Sequence, residues 1–128
     1  MKNNIFDIYK CEICGNIVEI IHPGDESLVC CGDDMKKISP SSGPEGQEKH
    51  IPVIHRQGDE VTVAVGTIPH PMTEEHHIEW IELILGDKAE KVFLHPGMEP
   101  KATFCVDKNE EKLFARTYCN IHGLWISE

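Results

Sequence analysis

The stretch LFARTYCNIHG, residues 113–123, combines a clear fold signal with a chemical motif. Every second residue from Leu113 to Cys119 would lie on the same face of an extended chain, a period that predicts a β-strand with two different faces. The strand leads directly into a CxxH motif, which separates the thiol of Cys119 from the imidazole of His122 by three positions. Such a motif is weak by itself, so its meaning depends on the rest of the chain.

The neighbouring segments have the same extended character. Val, Ile, Phe and Thr recur between Gly and Pro residues, and VTVAVG (61–66) and the run 101–107 read as further short strands. HIEWIELIL (77–85) is ambiguous, because its apolar spacing also suits a helix with Thr73 as N-cap. Its β-branched and aromatic residues and the following Gly86-Asp87 turn favour a strand. These ~80 residues are therefore predicted to form an all-β sandwich.

The N-terminal part has a different composition. Residues 1–38 contain four of the six Cys and little apolar mass, and glycines and a proline break them into short pieces. A piece of this size needs a metal or disulfide staple, because it cannot bury enough surface. Residues 39–49, SPSSGPEGQEK, read as a linker or loop. We therefore predict a domain at 1–38, a linker at 39–49 and a second domain at 50–128.

Overall composition excludes several functions. The 128 residues carry a formal charge of −10, which argues against wide contact with nucleic acid or an anionic membrane surface. MKNNIFDIYK lacks the apolar core of a signal peptide, and no apolar run approaches the ~20 residues of a spanning helix. A cytoplasmic location is therefore predicted. In a reducing compartment six Cys and eight His favour metal binding over disulfides.

A first metal site is predicted from the two cysteine pairs. The two-residue gap between Cys11 and Cys14 lets both sulfurs approach one ion, and Cys30 and Cys31 supply two more thiolates. Zn and Fe fit four thiolates equally well, and a zinc ribbon that only stabilises the fold remains open. A redox dithiol is disfavoured by the lack of a βαβ context. Because two adjacent residues would bind one ion, distorted geometry is expected there.

A second metal site is predicted from the histidines. His50 follows Glu48-Lys49, His70 precedes Pro71, and two histidines stand together at 76 and 77. Each alone reads as a surface or core-edge imidazole. Four of them with the CxxH motif of Cys119, in a domain otherwise rich in Val and Ile, indicate convergence on one ion from loops.

The order CxxC, CC, EKH, HPM with a His four residues later, and CNIHGLW resembles desulfoferrodoxin, the two-iron class of superoxide reductase. The resemblance covers nearly the whole chain. It implies a mainly β protein, in which a small desulforedoxin- or rubredoxin-like four-cysteine domain precedes an immunoglobulin-like β-sandwich. It also implies two iron cofactors, each cycling between Fe²⁺ and Fe³⁺. One is held by four Cys, and the other by four His in a plane and one axial Cys.

Applied residue by residue, the resemblance implies the following ligands. The first iron would be held by Cys11, Cys14, Cys30 and Cys31, and the second by His50, His70, His76, His122 and Cys119. His77 would stand where the family has other residues, and His22, His55 and His95 would have no role. Cys105 is expected to be a buried or half-buried thiol.

The implied activity is the one-electron reduction of superoxide to hydrogen peroxide, without release of dioxygen, in defence against oxidative stress. Glu48 would occupy the sixth position of the oxidised iron, and Lys49 would guide superoxide and protons to the site. The resemblance further implies a soluble electron donor such as rubredoxin and a homodimer. Two alternatives remain: an electron carrier without an open site, and a metal-binding protein with structural zinc and a storage or sensor site.

Overall fold

The computed structural model describes residues 3–41 and 50–127, which form strands joined by turns and loops. The described chain separates into two compact units, one ending at Ser39 and the other beginning at Pro40. In the described part of the chain, no helix is long and apolar enough to cross a membrane.

The first unit consists of short strands around very little core. The strands are β1 (Ile8–Lys10), β2 (Ile17–Glu19), β3 (Val29–Cys30), β4 (Asp33–Asp34) and β5 (Lys36–Ile38). An antiparallel sheet has the order β2-β1-β5, and β3 pairs with β4 in a separate hairpin. Among its described hydrophobic residues only Ile8, Cys11 and Ile20 are buried. A unit with so little buried apolar surface depends on another source of stability.

The second unit is a β-sandwich of two antiparallel sheets. Its strands are β6 (Pro52–Gln57), β7 (Glu60–Val65), β8 (Ile78–Leu85), β9 (Lys88–Phe93), β10 (Lys101–Cys105), β11 (Leu113–Cys119) and β12 (Gly123–Ile126). One sheet has the order β10-β7-β6, and the other has the order β12-β11-β8-β9. The predicted all-β class is confirmed. A seven-strand arrangement of this kind matches the immunoglobulin-like sandwich, except that the fourth strand, β9, joins the sheet of β8 rather than the opposite one.

The ambiguous segment is a strand, as predicted. Ile81, Leu83 and Leu85 are buried in the core between the sheets, and Ile78 joins them because a register shift at Tyr118/Cys119 changes the alternation. Thr73 does not begin a helix: its hydroxyl accepts a hydrogen bond from the amide of His76 in a loop. The bulge lets the first residue of β8 face the core directly beside Cys119.

A buried charge cluster fixes the register of three strands. Glu82 is fully buried on β8, opposite Arg116 of β11 and Lys91 of β9. Arg116 Nε donates to Glu82 Oε1 at 2.9 Å, and Lys91 Nζ lies 3.4 Å from Glu82 Oε2. Because an uncompensated buried charge costs several kcal/mol, a one-residue slip of either neighbour is strongly disfavoured.

This topology gathers several strand ends at one end of the sandwich. Antiparallel neighbours place the start of one strand beside the end of the next. The starts of β6, β8 and β12 therefore lie at the same end as the ends of β7 and β11. Side chains from five separated parts of the sequence can meet there.

Candidate metal centres

The first candidate site is built from two tight turns of the first unit. Cys11 and Cys14 belong to the turn between β1 and β2, where the amide of Gly15 donates to the carbonyl of Cys11 at 2.9 Å. Gly15 has φ +87°, which a side chain would disfavour. The amide of Cys14 also points at Cys11 Sγ, 3.5 Å away. The turn therefore presents two sulfurs on one side and directs an N–H group to one of them.

The second pair of cysteines lies at the β3–β4 hairpin. Cys30 ends β3, and Cys31 and Gly32 form a two-residue connection in which both have positive φ, +54° and +79°. That is the pattern of a type I′ turn, in which the first position is normally Gly, Asn or Asp. The left-handed backbone of Cys31 carries the strain expected of two adjacent ligands, at an order of 1–2 kcal/mol.

The four sulfurs are spaced as a metal would require. All lie within 4.8 Å of one another, with Cys14 Sγ 3.6 Å from Cys30 Sγ and Cys30 Sγ 4.0 Å from Cys31 Sγ. A tetrahedral metal with ~2.3 Å bonds to sulfur places its ligands ~3.8 Å apart. Amide donation from Cys14 lowers the pKa of Cys11 to about 6, whereas the hydrogen bonds with Cys14 and Cys11 raise the pKa of Cys31 to about 12. One thiolate forms readily and further negative charge is opposed, so the group fits a cation.

The second candidate site lies at the gathered end of the sandwich. One donor precedes β6, one follows β7, one precedes β8, one ends β11 and one lies in the β11–β12 turn. Their ligand atoms lie within 4.8 Å of one another, and they belong to His50, His70, His76, Cys119 and His122.

The four imidazoles form a closed ring of neighbours. Edge-to-face contacts join His50 to His70, His70 to His76, His76 to His122 and His122 to His50, with centroids 4.7–5.0 Å apart. Each ring thus has two neighbours in the cycle, as in a square of four ligands. His50 Nε2 and His122 Nδ1 are 3.1 Å apart, close to the ~3 Å between adjacent ligands with ~2.1 Å bonds at right angles. The arrangement fits four equatorial nitrogens around one ion.

Cys119 supplies the fifth donor from the core side. It is fully buried, and its Sγ accepts a hydrogen bond from the backbone amide of His122 at 3.4 Å and lies 3.8 Å from His122 Nδ1. Gly123, at φ +83°, closes the turn that makes this approach possible. An amide directed at the sulfur stabilises a thiolate and moderates its donor strength.

The protonation of His70 suits a metal ligand. Its Nδ1 lies 2.7 Å from the carbonyl of Pro71, a contact that makes Nδ1 the hydrogen-bond donor and leaves the lone pair on Nε2. Nε2 is buried and has no hydrogen-bond partner among the described residues. Burial lowers the pKa of His70 to about 4, so the imidazole is neutral at pH 7. A buried, neutral nitrogen that faces other donor atoms is stabilised when a cation binds between them.

Trp125 connects two members of the group and was not given a role in the sequence analysis. Its ring stacks on His50, with centroids 4.8 Å apart and planes at 14°, and its indole N–H donates to the carbonyl of His122 at 3.2 Å. The only sequence signal was its position at the end of CNIHGLW. One buried side chain thus orients two imidazoles that come from distant parts of the sequence.

The remaining sequence expectations have different outcomes. Glu48 and Lys49 lie outside the described residues. His77 is half-buried outside the five-donor group, and His22, His55 and His95 are exposed and belong to neither group. The expectation for Cys105 was wrong: it is exposed, because it ends the edge strand β10 on the outward face, two residues after the exposed Thr103.

Comparison with known proteins identifies the same family for both parts of the chain. The family model described as "Desulfoferrodoxin, N-terminal domain" matches residues 3–38, and the model described as "Desulfoferrodoxin" matches residues 42–128. The chain belongs to the desulfoferrodoxin family. Its two groups of ligand atoms match the two iron centres of that family.

Individual desulfoferrodoxins align over almost the full length. A desulfoferrodoxin homolog of Archaeoglobus fulgidus is 51% identical over 123 residues, 96% of this chain and 97% of that one. The desulfoferrodoxin of Nitratidesulfovibrio vulgaris is 47% identical over 125 residues and covers 98% of both chains. Among solved structures, the superoxide reductase from Treponema pallidum has a TM-score of 0.77 at 28% identity, covering 95% of this chain and 96% of that chain.

The indole hydrogen bond leads to a first prediction. Trp125→Phe keeps a ring for stacking on His50 but loses the N–H group that holds the carbonyl of His122. We expect the metal affinity of the second site to fall about fivefold, the worth of one hydrogen bond near 1 kcal/mol. Chelator competition on the metal-loaded chain measures this change. Trp80→Phe is the matched control, because Trp80 is equally buried and stacked on Tyr118, yet its Nε1 has no described hydrogen-bond partner. Equal losses in both variants would contradict the positioning role.

Proposed function

We propose that this protein is a superoxide reductase, which reduces superoxide to hydrogen peroxide and so protects against oxidative stress. The observation that carries the proposal is the closed ring of four imidazoles with a buried thiol beneath it, in a chain of the desulfoferrodoxin family. The likeness over nearly the full length to a structure described as a superoxide reductase supports the same activity.

The nine gathered donors are proposed as the ligands of two irons. The first iron is bound by Cys11, Cys14, Cys30 and Cys31, and the second by His50, His70, His76, His122 and Cys119. The first site uses four protein ligands and is closed. The second would use five, which would leave a six-coordinate ion one open position for a small oxidant.

Ferrous iron, when bound at the second site, supplies the electron that reduces the substrate. Superoxide takes up this electron and two protons to give hydrogen peroxide, and the O–O bond stays intact. Neutral imidazoles, such as that of His70, leave the positive charge of the ion uncancelled, so an anion is attracted to the ring. The sulfur of Cys119 would donate electron density to the bound metal and so favour its oxidised state.

Glu48 and Lys49 are proposed to act at the open position. They immediately precede His50 in the sequence, so both side chains are proposed to reach the open position. The ammonium group of Lys49 would attract superoxide at short range and pass protons to the reduced substrate through water. The carboxylate of Glu48 would occupy the open position in the oxidised state and leave when the metal is reduced again.

Partners and location complete the proposal. A soluble one-electron donor such as rubredoxin would restore the reduced state, and the exposed cysteines Cys14 and Cys31 offer it an entry point at the first site. A homodimer would cover some of the apolar surface of the first unit, where Ile21 is 84% exposed. A cytoplasmic location is proposed, since a reducing compartment keeps the six cysteines available as thiols.

Pulse radiolysis of the fully reduced, iron-loaded protein tests the activity. We expect superoxide to oxidise the second site in a fast second-order step, with one hydrogen peroxide formed per superoxide consumed and no dioxygen. If superoxide decays only at its spontaneous rate, the protein is a metal-binding protein or an electron carrier instead.

Lys49→Ala tests the attraction of the substrate. We expect the second-order rate constant with superoxide to fall about tenfold, because the local positive charge is lost, while the absorption of the resting iron stays the same. Lys108→Ala removes the same charge from the turn before β11, at the other end of that strand from Cys119, and should leave the rate unchanged. An unaltered rate in Lys49→Ala would contradict the steering role.

Cys14→Ser separates the two sites. We expect loss of the first iron and an unchanged rate of oxidation of the second site by superoxide, because all five of its donors lie in the second unit. Metal content and pulse radiolysis of the same preparation provide both values. A fall in that rate would show that the first site takes part in the reaction with superoxide.

A further inference from the structure

Two adjacent histidines, His76 and His77, stand where the second site needs only one. Both residues lie in the loop that precedes β8. In the structure His76 belongs to the five-donor group and His77 does not. His77 is nevertheless a capable ligand, since its Nδ1 is buried and has no hydrogen-bond partner among the described residues.

Hydrogen bonds from Thr73 and Asn120 hold the backbone around the two histidines. Thr73 holds residue 76: its hydroxyl accepts from the amide of His76 at 3.1 Å, and its own amide donates to the carbonyl of His76 at 2.9 Å. Asn120 holds the residues on either side. Its side-chain Nδ2 donates to the carbonyl of Glu75 at 3.0 Å, and its Oδ1 accepts from the amide of His77 at 2.9 Å.

A third bond completes the contact of Asn120. Its backbone amide donates to the carbonyl of His77 at 3.2 Å. Asn120 therefore binds the N–H and the C=O of the same residue and also the carbonyl two residues earlier. Rotation of the peptide groups that would exchange the two imidazoles breaks at least two of these bonds, and the freed amide of the half-buried His77 is partly removed from water.

Asn120 also lies between Cys119 and His122, in the turn that carries two of the five donors. The residue thus joins the loop of one ligand to the turn of two others. We propose that Asn120 is a positioning residue that selects His76 over His77 as a ligand of the second site. The inference deepens the proposed function, because it rests on the metal site assigned there.

The test uses the full chain loaded with Zn²⁺, whose diamagnetism allows ¹⁵N NMR of the imidazoles to show which histidines bind the metal. We expect His76 and not His77 to be bound in the unaltered protein. In Asn120→Ala, His77 should show a metal-bound signal, and the zinc affinity of the second site should fall about 10- to 100-fold, as is common when a group supporting a ligand is lost. Asn109→Ala, an exposed Asn in the turn before β11, is the matched control and should change neither result.

A double-mutant cycle separates selection from simple loosening of the site. His77→Ala should leave zinc affinity unchanged in the presence of Asn120 and should lower it further in Asn120→Ala. If His77→Ala has the same effect in both backgrounds, or if Asn120→Ala keeps the original affinity and ligand set, the selection role is wrong.

Asn120→Asp provides a second variant in case Asn120→Ala does not fold. The carboxylate still accepts from the amide of His77 but cannot donate to the carbonyl of Glu75, so a smaller loss of affinity that remains sensitive to His77→Ala is expected. None of these measurements needs turnover. If the superoxide assay fails while the zinc and NMR results follow these expectations, only the proposed activity is rejected. If the assay succeeds while Asn120→Ala keeps the original ligand set and affinity, only the role of Asn120 is rejected.

Discussion

The crowding of lone pairs at the end of the sandwich is the constraint on which the second unit depends. Nitrogens from four imidazoles and one sulfur lie within 4.8 Å of one another, and His70 Nε2 is buried with no hydrogen-bond partner among the described residues. Without a cation this arrangement leaves polar atoms desolvated and facing each other, which is costly. The strand register, the bulge beside Cys119 and the stacking of Trp125 all hold donors in place against that cost. The fold thus holds the donors rigidly, and metal binding compensates the free-energy cost of desolvating them.

Sequence patterns predicted the longer strands that bury one face and missed strands that are exposed, irregular in pattern or very short. β7, β8 and β11 alternate or run apolar because they line the core, so their periodicity is visible. β9, KAEKVF, is an exposed edge strand rich in Lys and Glu, a composition that protects an edge from aggregation and also removes the pattern. β12 has only four residues, and β6 begins at Pro52 and ends in polar residues, so neither offers a period long enough to identify.

The candidate ligands could be named from the sequence, but their atomic roles could not. Motif spacing and family resemblance identified the donors. Which nitrogen faces the other donors depends on local contacts that have no sequence signature: His122 directs Nδ1 toward His50, and the carbonyl of Pro71 engages Nδ1 of His70 and leaves the lone pair on its Nε2. Asn120 acts through hydrogen bonds to backbone groups of the distant residues Glu75 and His77, and Trp125 stacks on the distant His50. Such contacts depend on tertiary placement alone. The exposure of Cys105 was misjudged for a related reason: an apolar residue type in a short strand does not reveal which face is outward.

The charge distribution limits how an anionic substrate can reach the site. Residues 1–38 contain four basic and seven acidic residues, and the remainder contains eight and fifteen, so the unit with the five-donor site carries most of the excess negative charge. Glu74 and Glu75 stand next to His76 in the same loop. At physiological ionic strength, however, exposed charges more than ~8 Å away are largely screened. Attraction is therefore expected to arise within a few ångströms of the five donors, from the bound metal and from the proposed role of Lys49. An acidic protein can in this way bind a small anion and still repel large anionic surfaces such as nucleic acids and membranes.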